Sequence, residues 1–313
     1  MKPIFSYLRL PLACVFLALI ALSCKKEKPV EIADLTFAAD TYFVPSGGEI
    51  FIRINQGNNK YTLDVADDAL IQLRTDLDHW PVDARIYVSG LKKGSTELTV
   101  TDEVSGRQET LHIHVVDPFL VIRVGGPIPG ILVDQRMPGD TQDAIRKEAK
   151  SFGPFQLGEF LVLQHIAEQR FYVFDNPGNL NTESKTLNAS NVKYAGTYEF
   201  GVTHDSSPFD EGEIRQLILH PEDGGEPISL PIRANSQYAI QTLTDFIENT
   251  NTPSGENLPT DYFKQFISFH IDLTPHFKPD YPDYLQYVNV HHQAQLWRDC
   301  HNSGLKIGDG ILK

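Results

Sequence analysis

The chain has 313 residues, with 27 lysines and arginines against 41 aspartates and glutamates, and its formal net charge at pH 7 is −14. This acidic balance argues against nucleic acid as a partner, because phosphate recognition needs a surplus of basic side chains. Hydrophobic residues make up 41% of the chain and charged residues 22%, which is typical of globular proteins and sufficient, at this length, for two domains.

Residues 1–23 have the pattern of a signal peptide. Lys2 and Arg9 precede an apolar segment at residues 10–22, which is shorter than the ~20 residues that a membrane-spanning helix needs. Because small residues close the segment, the sequence predicts a leader that is removed on export.

A cysteine follows this leader directly. The stretch Ala21-Leu22-Ser23-Cys24 resembles the lipobox of bacterial lipoproteins, with Ala21 in place of the more usual leucine. The resemblance implies that Cys24 carries acyl chains of the palmitate type, that the membrane is a partner, and that the protein is anchored in the cell outer membrane. Lys25, where an aspartate would favour the inner membrane, agrees with this. The alternative is a secreted protein with an incidental cysteine.

Residues 24–31 form a charged tether with the sequence CKKEKPVE. Its lysines resemble the export tethers of Bacteroidetes surface lipoproteins, although a solvated linker accounts for them equally well. The sequence leaves open whether the protein faces the cell surface or the periplasm.

The cysteines provide no intramolecular disulfide. Cys14 leaves with the signal peptide and Cys24 carries the lipid, so Cys300 is unpaired. No nucleophile motif surrounds Cys300, and we expect a buried, inert thiol.

Residues 32–117 show short apolar alternations separated by turns, at the spacing of a β-sandwich. The last strand, residues 111–115, alternates apolar residues with His112 and His114. The stretches GLKKGSTELTVT (90–101) and LHIHV (111–115) resemble the closing hairpin of bacterial immunoglobulin-like domains. That resemblance implies a spacer or adhesive module without catalytic residues.

Pro118 ends the sandwich, and residues 118–313 form a second, larger domain that is mostly β, of the α+β kind. One helix is predicted at residues 142–151, capped by Asp140 or Thr141. Residues 236–251 fit both a helical stripe and an alternation, and we interpret them as a strand passing into a helical turn. The fold class is therefore mainly β with one or two short helices. Further strands are predicted at 119–124, 159–164, 170–175, 194–202, 213–220, 228–233, 267–273 and 288–296. The strands at 159–164 and 170–175 read as a hairpin whose turn is residues 166–168.

A proline-rich, aromatic loop at residues 272–284 is similar to a segment of uncharacterised Bacteroidetes lipoproteins that carry an N-terminal immunoglobulin-like domain. Rings in and after this loop offer a surface on which a glycan or an extended peptide could pack. Burial in the core is the alternative. The candidate ligand-binding residues are Phe277, Tyr281, Tyr284, Tyr287 and Trp297.

Histidines supply two patterns that metal chemistry could use. His112 and His114 are spaced as a chelating pair, and His270, Asp272 and His276 could form a triad with the histidines at 291 and 292 added to it. Neither pattern is a tight ligand motif, so the sequence predicts no metal and no cofactor.

The chain contains no nucleophile elbow, zinc-protease motif, phosphate-binding loop or dinucleotide fingerprint. This favours binding over catalysis without deciding the question, and the catalytic residues stay unknown. We expect an exported, membrane-anchored lipoprotein that acts as a surface or periplasmic binding or assembly component for glycan or protein ligands. The alternatives are a hydrolase acting on glycans or peptides, with its site in the second domain, and a structural spacer.

The lipid anchor is testable through Cys24. Each buried methylene contributes about 0.8 kcal/mol to membrane binding, so the Cys24→Ser variant should move from the membrane fraction to the soluble fraction on cell fractionation. Cys14→Ser, inside the cleaved leader, is the control and should stay anchored. A Cys24→Ser protein that remains with the membrane would refute the lipobox interpretation.

Overall fold

The computed structural model describes residues 32–76, 84–125, 130–156, 158–175, 185–204, 213–234, 237–248, 265–282, 285–296, 304–308 and 310–312. Strands dominate these residues and confirm the mainly β class, with three α-helices where one or two were expected. The predicted signal peptide, Cys24, the tether and Cys300 lie outside the described residues.

The first eight strands form two four-stranded sheets, with the orders β1-β3-β6-β5 and β2-β8-β7-β4. Within the second of these, β2 and β8 are parallel. The strands are β1 Thr36–Phe37, β2 Thr41–Pro45, β3 Glu49–Gln56, β4 Tyr61–Val65, β5 Ile71–Asp76, β6 Arg85–Gly90, β7 Gly94–Asp102 and β8 Gln108–Val116.

The two sheets pack face to face as a sandwich. Alternate side chains from both of them meet in one buried cluster, because successive residues of a strand point to opposite faces. The alternation in the sequence therefore predicted this packing correctly. Among its largest fully buried members are Tyr42, Ile52, Ile86, Leu98 and Ile113.

The remaining strands build mainly a nine-stranded antiparallel sheet, ordered β10-β18-β17-β16-β15-β14-β12-β11-β9. A separate parallel pair joins β13 to β19. The strands are β9 Phe119–Val124, β10 Gly130–Val133, β11 Phe160–Gln164, β12 Arg170–Phe174, β13 Lys185–Leu187, β14 Val192–His204, β15 Glu213–Pro221, β16 Ile228–Ala234, β17 Gln265–Asp272, β18 Val288–Leu296 and β19 Leu305–Ile307.

The nine-stranded sheet closes on itself through β18. The C-terminal half of β18 pairs with β9, where Ala294 lies opposite Val124. The N-terminal half of β18 pairs with β10, where His291 lies opposite Gly130. The eight strands other than β10 thus form a closed ring, which is just wide enough for side chains to fill. The filling includes Leu163, Phe171, Tyr198, Leu217, Ile232, Phe269 and Leu296.

Three α-helices accompany this sheet: α1 (Gly139–Ala149), α2 (Gln237–Glu248) and α3 (Thr274–Phe277). None of the described helices is long and apolar enough to cross a membrane. Helix α3 lies within residues 272–284, so the predicted loop contains a helical turn. Helix α1 starts three residues before its predicted start, and its N-cap is Pro138, without a side-chain capping bond, so the capping role expected of Asp140 or Thr141 is wrong.

Helix α2 corrects the interpretation of residues 236–251, where a strand was expected. Ala239, Leu243 and Phe246 are buried in the cluster that fills the closed sheet, whereas Ile240 is 53% exposed. The helical stripe decided the structure because it offers three side chains to one apolar interior, which the period-two alternation does not.

A further cluster joins the sandwich to the outer face of the closed sheet. Phe43 and Val116 of the sandwich pack with Val121, Phe160 and Phe174. Residues 34–313 accordingly form one compact unit. The predicted boundary at residue 117 falls between β8 and β9, and the division into separately folding domains stays a prediction.

Two glycines of β14 provide a test of this sheet. A Cβ at Gly196 would collide with the backbone carbonyl of His220 and lie 2.9 Å from the Phe171 ring, whereas one at Gly201 would lie 3.7 Å from the nearest atom, in Gln216. We expect Gly196→Ala to lower the free energy of unfolding by about 1 to 3 kcal/mol.

Gly201→Ala is the matched control, because a β-carbon fits there and reduces the conformational entropy of the unfolded chain. Its urea unfolding midpoint should equal or slightly exceed that of the wild type. Equal midpoints for the two variants would contradict the packing described for Gly196.

Candidate functional site

The aromatic residues predicted to bind a ligand do not form one exposed strip among the described residues. Phe277 is 2% exposed and belongs to a buried cluster with Ile145, Val288 and Val290, so for this ring the core interpretation is correct and the surface interpretation is not. Tyr281 and Tyr287 are half-buried, and Tyr281 packs against the same cluster. Tyr284 and Trp297 lie outside the described residues, and their ligand-binding role stays a prediction.

The buried aspartate Asp134 holds the backbone at Gln286 and Tyr287 in place. Asp134 is 2% exposed and accepts two hydrogen bonds from the guanidinium of Arg136, at 3.0 and 2.6 Å. It also accepts one from the backbone N–H of Gln286, at 3.0 Å, and its own N–H donates to the carbonyl of Tyr287. The Arg136 guanidinium and these backbone donors hold the pKa of Asp134 well below its usual range.

The two histidines of β8 lie on its outward face, as predicted, but they have protein partners. Nδ1 of His112 lies 3.5 Å from a carboxylate oxygen of Glu97, and His114 meets the Ser95 hydroxyl at 2.8 Å. His114 also stacks on Phe43, with 5.3 Å between ring centroids. Across the described part of the chain, no three histidine, cysteine, aspartate or glutamate side chains converge on a possible metal position.

The second histidine pattern is only partly assembled. His270 and His291 lie opposite each other on β17 and β18, with 4.0 Å between their ring centroids. His276 is elsewhere, on α3, between the Phe152 ring and the Glu148 carboxylate. His292 faces the other side of the sheet, so the metal-binding group considered from the sequence does not assemble.

Burial leaves the paired imidazoles uncharged. It lowers the pKa of His270 to about 3, with further contributions from His291 and Arg233, and burial together with Arg233 also lowers the pKa of His291. The Ser268 hydroxyl lies 2.9 Å from Nε2 of His270, which is the distance of a nucleophile and its base. An imidazole with so low a pKa is a weak base at neutral pH, so this pair does not support hydrolysis.

An open groove lies where the sandwich meets one end of the closed sheet, and its volume is about 480 Å³. The turn between β11 and β12 forms one wall and Asp117 contributes to the other. We call it the junction groove, and its lining residues are Asp117, His165, Ile166, Ala167, Glu168 and Gln169.

Hydrogen bonds hold the walls of the junction groove in place. The N–H of His165 donates to the carbonyl of Pro118 at 2.7 Å, and Nδ1 of His165 donates to the carbonyl of Phe246, at the end of α2, at 2.9 Å. Gln169 has the uncommon φ of 46°, and its carbonyl accepts from the N–H of Tyr198. The turn is therefore hydrogen-bonded to Pro118, just before β9, to the end of α2 and to β14.

The junction groove carries polar chemistry on a fixed backbone. Lys93 forms an ion pair with Asp117 at 2.8 Å, and Glu168 is exposed. Because Nδ1 of His165 is a donor, its Nε2 is an acceptor in the neutral ring. The groove thus offers hydrogen-bond acceptors to a ligand with hydroxyl or amino groups.

The sequence contained both parts of this groove without connecting them. Residues 166–168 read as the turn of a hairpin, and Pro118 as a boundary after Asp117. No sequence pattern indicates that the two meet, since their approach depends on the antiparallel pairing of Gln164 with Phe119.

Comparison with known proteins leaves the family open. No protein-family model matches the chain, and no curated protein matches it. Among solved structures, domains 1–6 of the surface layer protein SbsC share 9% identity at a TM-score of 0.24 and cover 66% of this chain. Domains 4–9 of the same protein share 9% identity at a TM-score of 0.25 and cover 89%. The alignments span 24% and 32% of those chains.

The hydrogen bonds to the Asp134 carboxylate predict how the stability of the protein depends on pH. Because the pKa of Asp134 is lower in the folded than in the unfolded state, its stabilisation is present above the ordinary value of 3.8 and is lost as the pH falls through the depressed value. Asp134→Asn should cost about 1 to 3 kcal/mol of unfolding free energy at pH 7 and should flatten the loss of stability between about pH 5 and 2.

Asp143→Asn is the matched control, since Asp143 is an exposed partner of Arg146 on α1 at 3.1 Å. Exposed ion pairs contribute about 0 to 1 kcal/mol, so this variant should follow the wild type in urea unfolding across the same pH series. If the Asp134→Asn protein loses stability in acid as the wild type does, the stabilising role given to the Asp134 carboxylate is refuted.

Proposed function

We propose that the chain is an exported, lipid-anchored binding component whose ligand site is the junction groove. The lipobox resemblance at Cys24 supports the anchor, and the packing of the sandwich against the closed sheet supports a body in which the walls of the groove are held together. The cell outer membrane is the proposed location.

The groove is the observation that carries this proposal. Inside the closed sheet, apolar side chains of its strands pack in one buried cluster. Ligand sites occur preferentially where two substructures meet, since each side contributes a wall. The junction groove is such a place, and its volume of about 480 Å³ suits a few sugar rings or a short peptide segment.

The groove chemistry narrows the ligand class. Asp117 and Glu168 supply carboxylate oxygens, and His165 and Gln169 add further polar groups. Carboxylates accept strong hydrogen bonds from hydroxyl and ammonium donors. We therefore propose glycans or basic peptide segments as ligands, within the class of glycan and protein ligands that the sequence predicted.

Glycoside hydrolysis is the second candidate, because the groove contains two carboxylates and glycosidases act through such a pair. Asp117 forms an ion pair with Lys93 at 2.8 Å, whereas Glu168 is exposed at the groove, so Glu168 is the carboxylate to replace in a test of hydrolysis. Turnover of a bound glycan, abolished in Glu168→Gln, would identify the protein as a hydrolase.

Binding is tested with the full-length protein, purified in detergent, on glycan and peptide arrays followed by calorimetry with the best ligand. Glu168→Lys should weaken that ligand about tenfold or more, because a hydrogen bond to a charged group contributes about 1.5 to 3 kcal/mol. Glu109→Lys makes the same charge change at an exposed position near the opposite end of β8 and should bind like the wild type.

Tyr281→Ala in the same assay tests the rival aromatic surface. Loss of binding in this variant, with Glu168→Lys unaffected, would move the site to the aromatic loop and refute the groove. An array on which the wild type retains no glycan and no peptide would refute the binding function and leave the structural spacer.

A further inference from the structure

The paired histidines on the outer face of the closed sheet form a constellation that the proposed function does not use. His270 and His291 are directly opposed across an antiparallel pair, and their rings meet edge to face at 71° with 4.0 Å between centroids. Both side chains are half-buried. The pairing of β17 with β18 thus holds the two imidazoles side by side.

The nitrogen atoms of the pair are poorly satisfied by protein groups. Nε2 of His291 is buried and has no hydrogen-bond partner within the described residues. Nε2 of His270 meets the Ser268 hydroxyl, a group that can rotate and act as donor or acceptor. A buried nitrogen without a partner is costly, and a bound ion is one of the usual ways in which such a group is satisfied.

The strand beside the pair presents a glycine to it. Gly130 lies opposite His291 on β10 and contributes no side chain of its own next to the imidazole. A β-carbon at Gly130 would lie 3.8 Å from Cβ of His291, which is an ordinary contact, and a larger side chain there would crowd His291. The glycine thus keeps this position small without being required by the backbone conformation.

We propose that His270 and His291 form a binding site for a transition metal ion that prefers imidazole ligands, with Cu²⁺ the strongest binder. Each histidine would supply one ring nitrogen, and water would complete the coordination. Imidazole nitrogen suits copper, nickel and zinc, and among divalent ions of the first row the affinity for such ligands is greatest for Cu²⁺.

The surroundings favour this class of metal over hard cations. Magnesium and calcium require several oxygen ligands, and no carboxylate joins the pair among the described residues. The positive charge of Arg233, which lies opposite Ser268 on the neighbouring strand, opposes any cation held by charge alone. A metal must therefore be retained by its affinity for nitrogen.

The test is calorimetric titration of the full-length protein with CuCl₂, in a Cys300→Ser background so that the free thiol does not compete. The wild-type pair should bind one Cu²⁺, and electron paramagnetic resonance should show coordination by two nitrogens. His270→Asn and His291→Asn should each weaken this binding by at least about tenfold, since even outer partners of metal ligands contribute that much. MgCl₂ should not bind.

His112→Asn is the matched control, because it removes one member of the other closely spaced histidine pair and should leave the affinity unchanged. Gly130→Val keeps both imidazoles and should weaken Cu²⁺ binding by crowding His291. The proposal is overturned if the wild type binds no Cu²⁺, if His270→Asn and His291→Asn bind it as the wild type does, or if Gly130→Val leaves its affinity unchanged.

Discussion

The pairing of β18 with β9 is the interaction on which the rest of the structure depends. An open sheet of this size would leave two edges of unpaired N–H and C=O groups, and closure removes them. It also directs one face of every strand to a single interior, where Leu163, Phe171 and Phe269 exclude water from one another. Only the C-terminal part of β18 pairs with β9. The N-terminal part pairs with β10, and its Val288 and Val290 pack against helix α1. The closed ring and its extension therefore share one strand.

Both candidate sites lie outside the interior of the closed sheet. Apolar side chains of the eight strands meet in that interior. The sandwich covers part of the outer face of the closed sheet through Phe43 and Val116, and its approach to the β11–β12 turn produces the junction groove. The histidine pair lies where β18 exchanges β9 for β10, beside Gly130. The junction groove thus lies where the sandwich packs against the closed ring, and the histidine pair lies where β18 changes its partner strand.

Much of the strand content was predictable because the period of two survives wherever one face of a strand is buried. Residues 160–164 and 170–174 form the expected hairpin, and residues 288–296 form the expected strand. The prediction failed at α2, where Ala239, Leu243 and Phe246 follow a helical stripe while neighbouring residues alternate. At Phe277 the sequence left core and surface positions open, because an aromatic residue in a proline-rich loop has no periodicity that distinguishes them, and the structure places the ring in the core.

The sequence by itself determined the class of the fold, the strand faces and the expectation of an exported, lipid-anchored chain, because alternation, turn residues and the pattern around Cys24 are local. Only the tertiary structure decided which groups meet. Asp117 and Glu168 share a groove through the register of β9 and β11, and His270 faces His291 through the register of β17 and β18. A shift of one residue in either register would send these side chains to the opposite face. Register depends on burial over the whole closed sheet, which no single segment of the chain encodes.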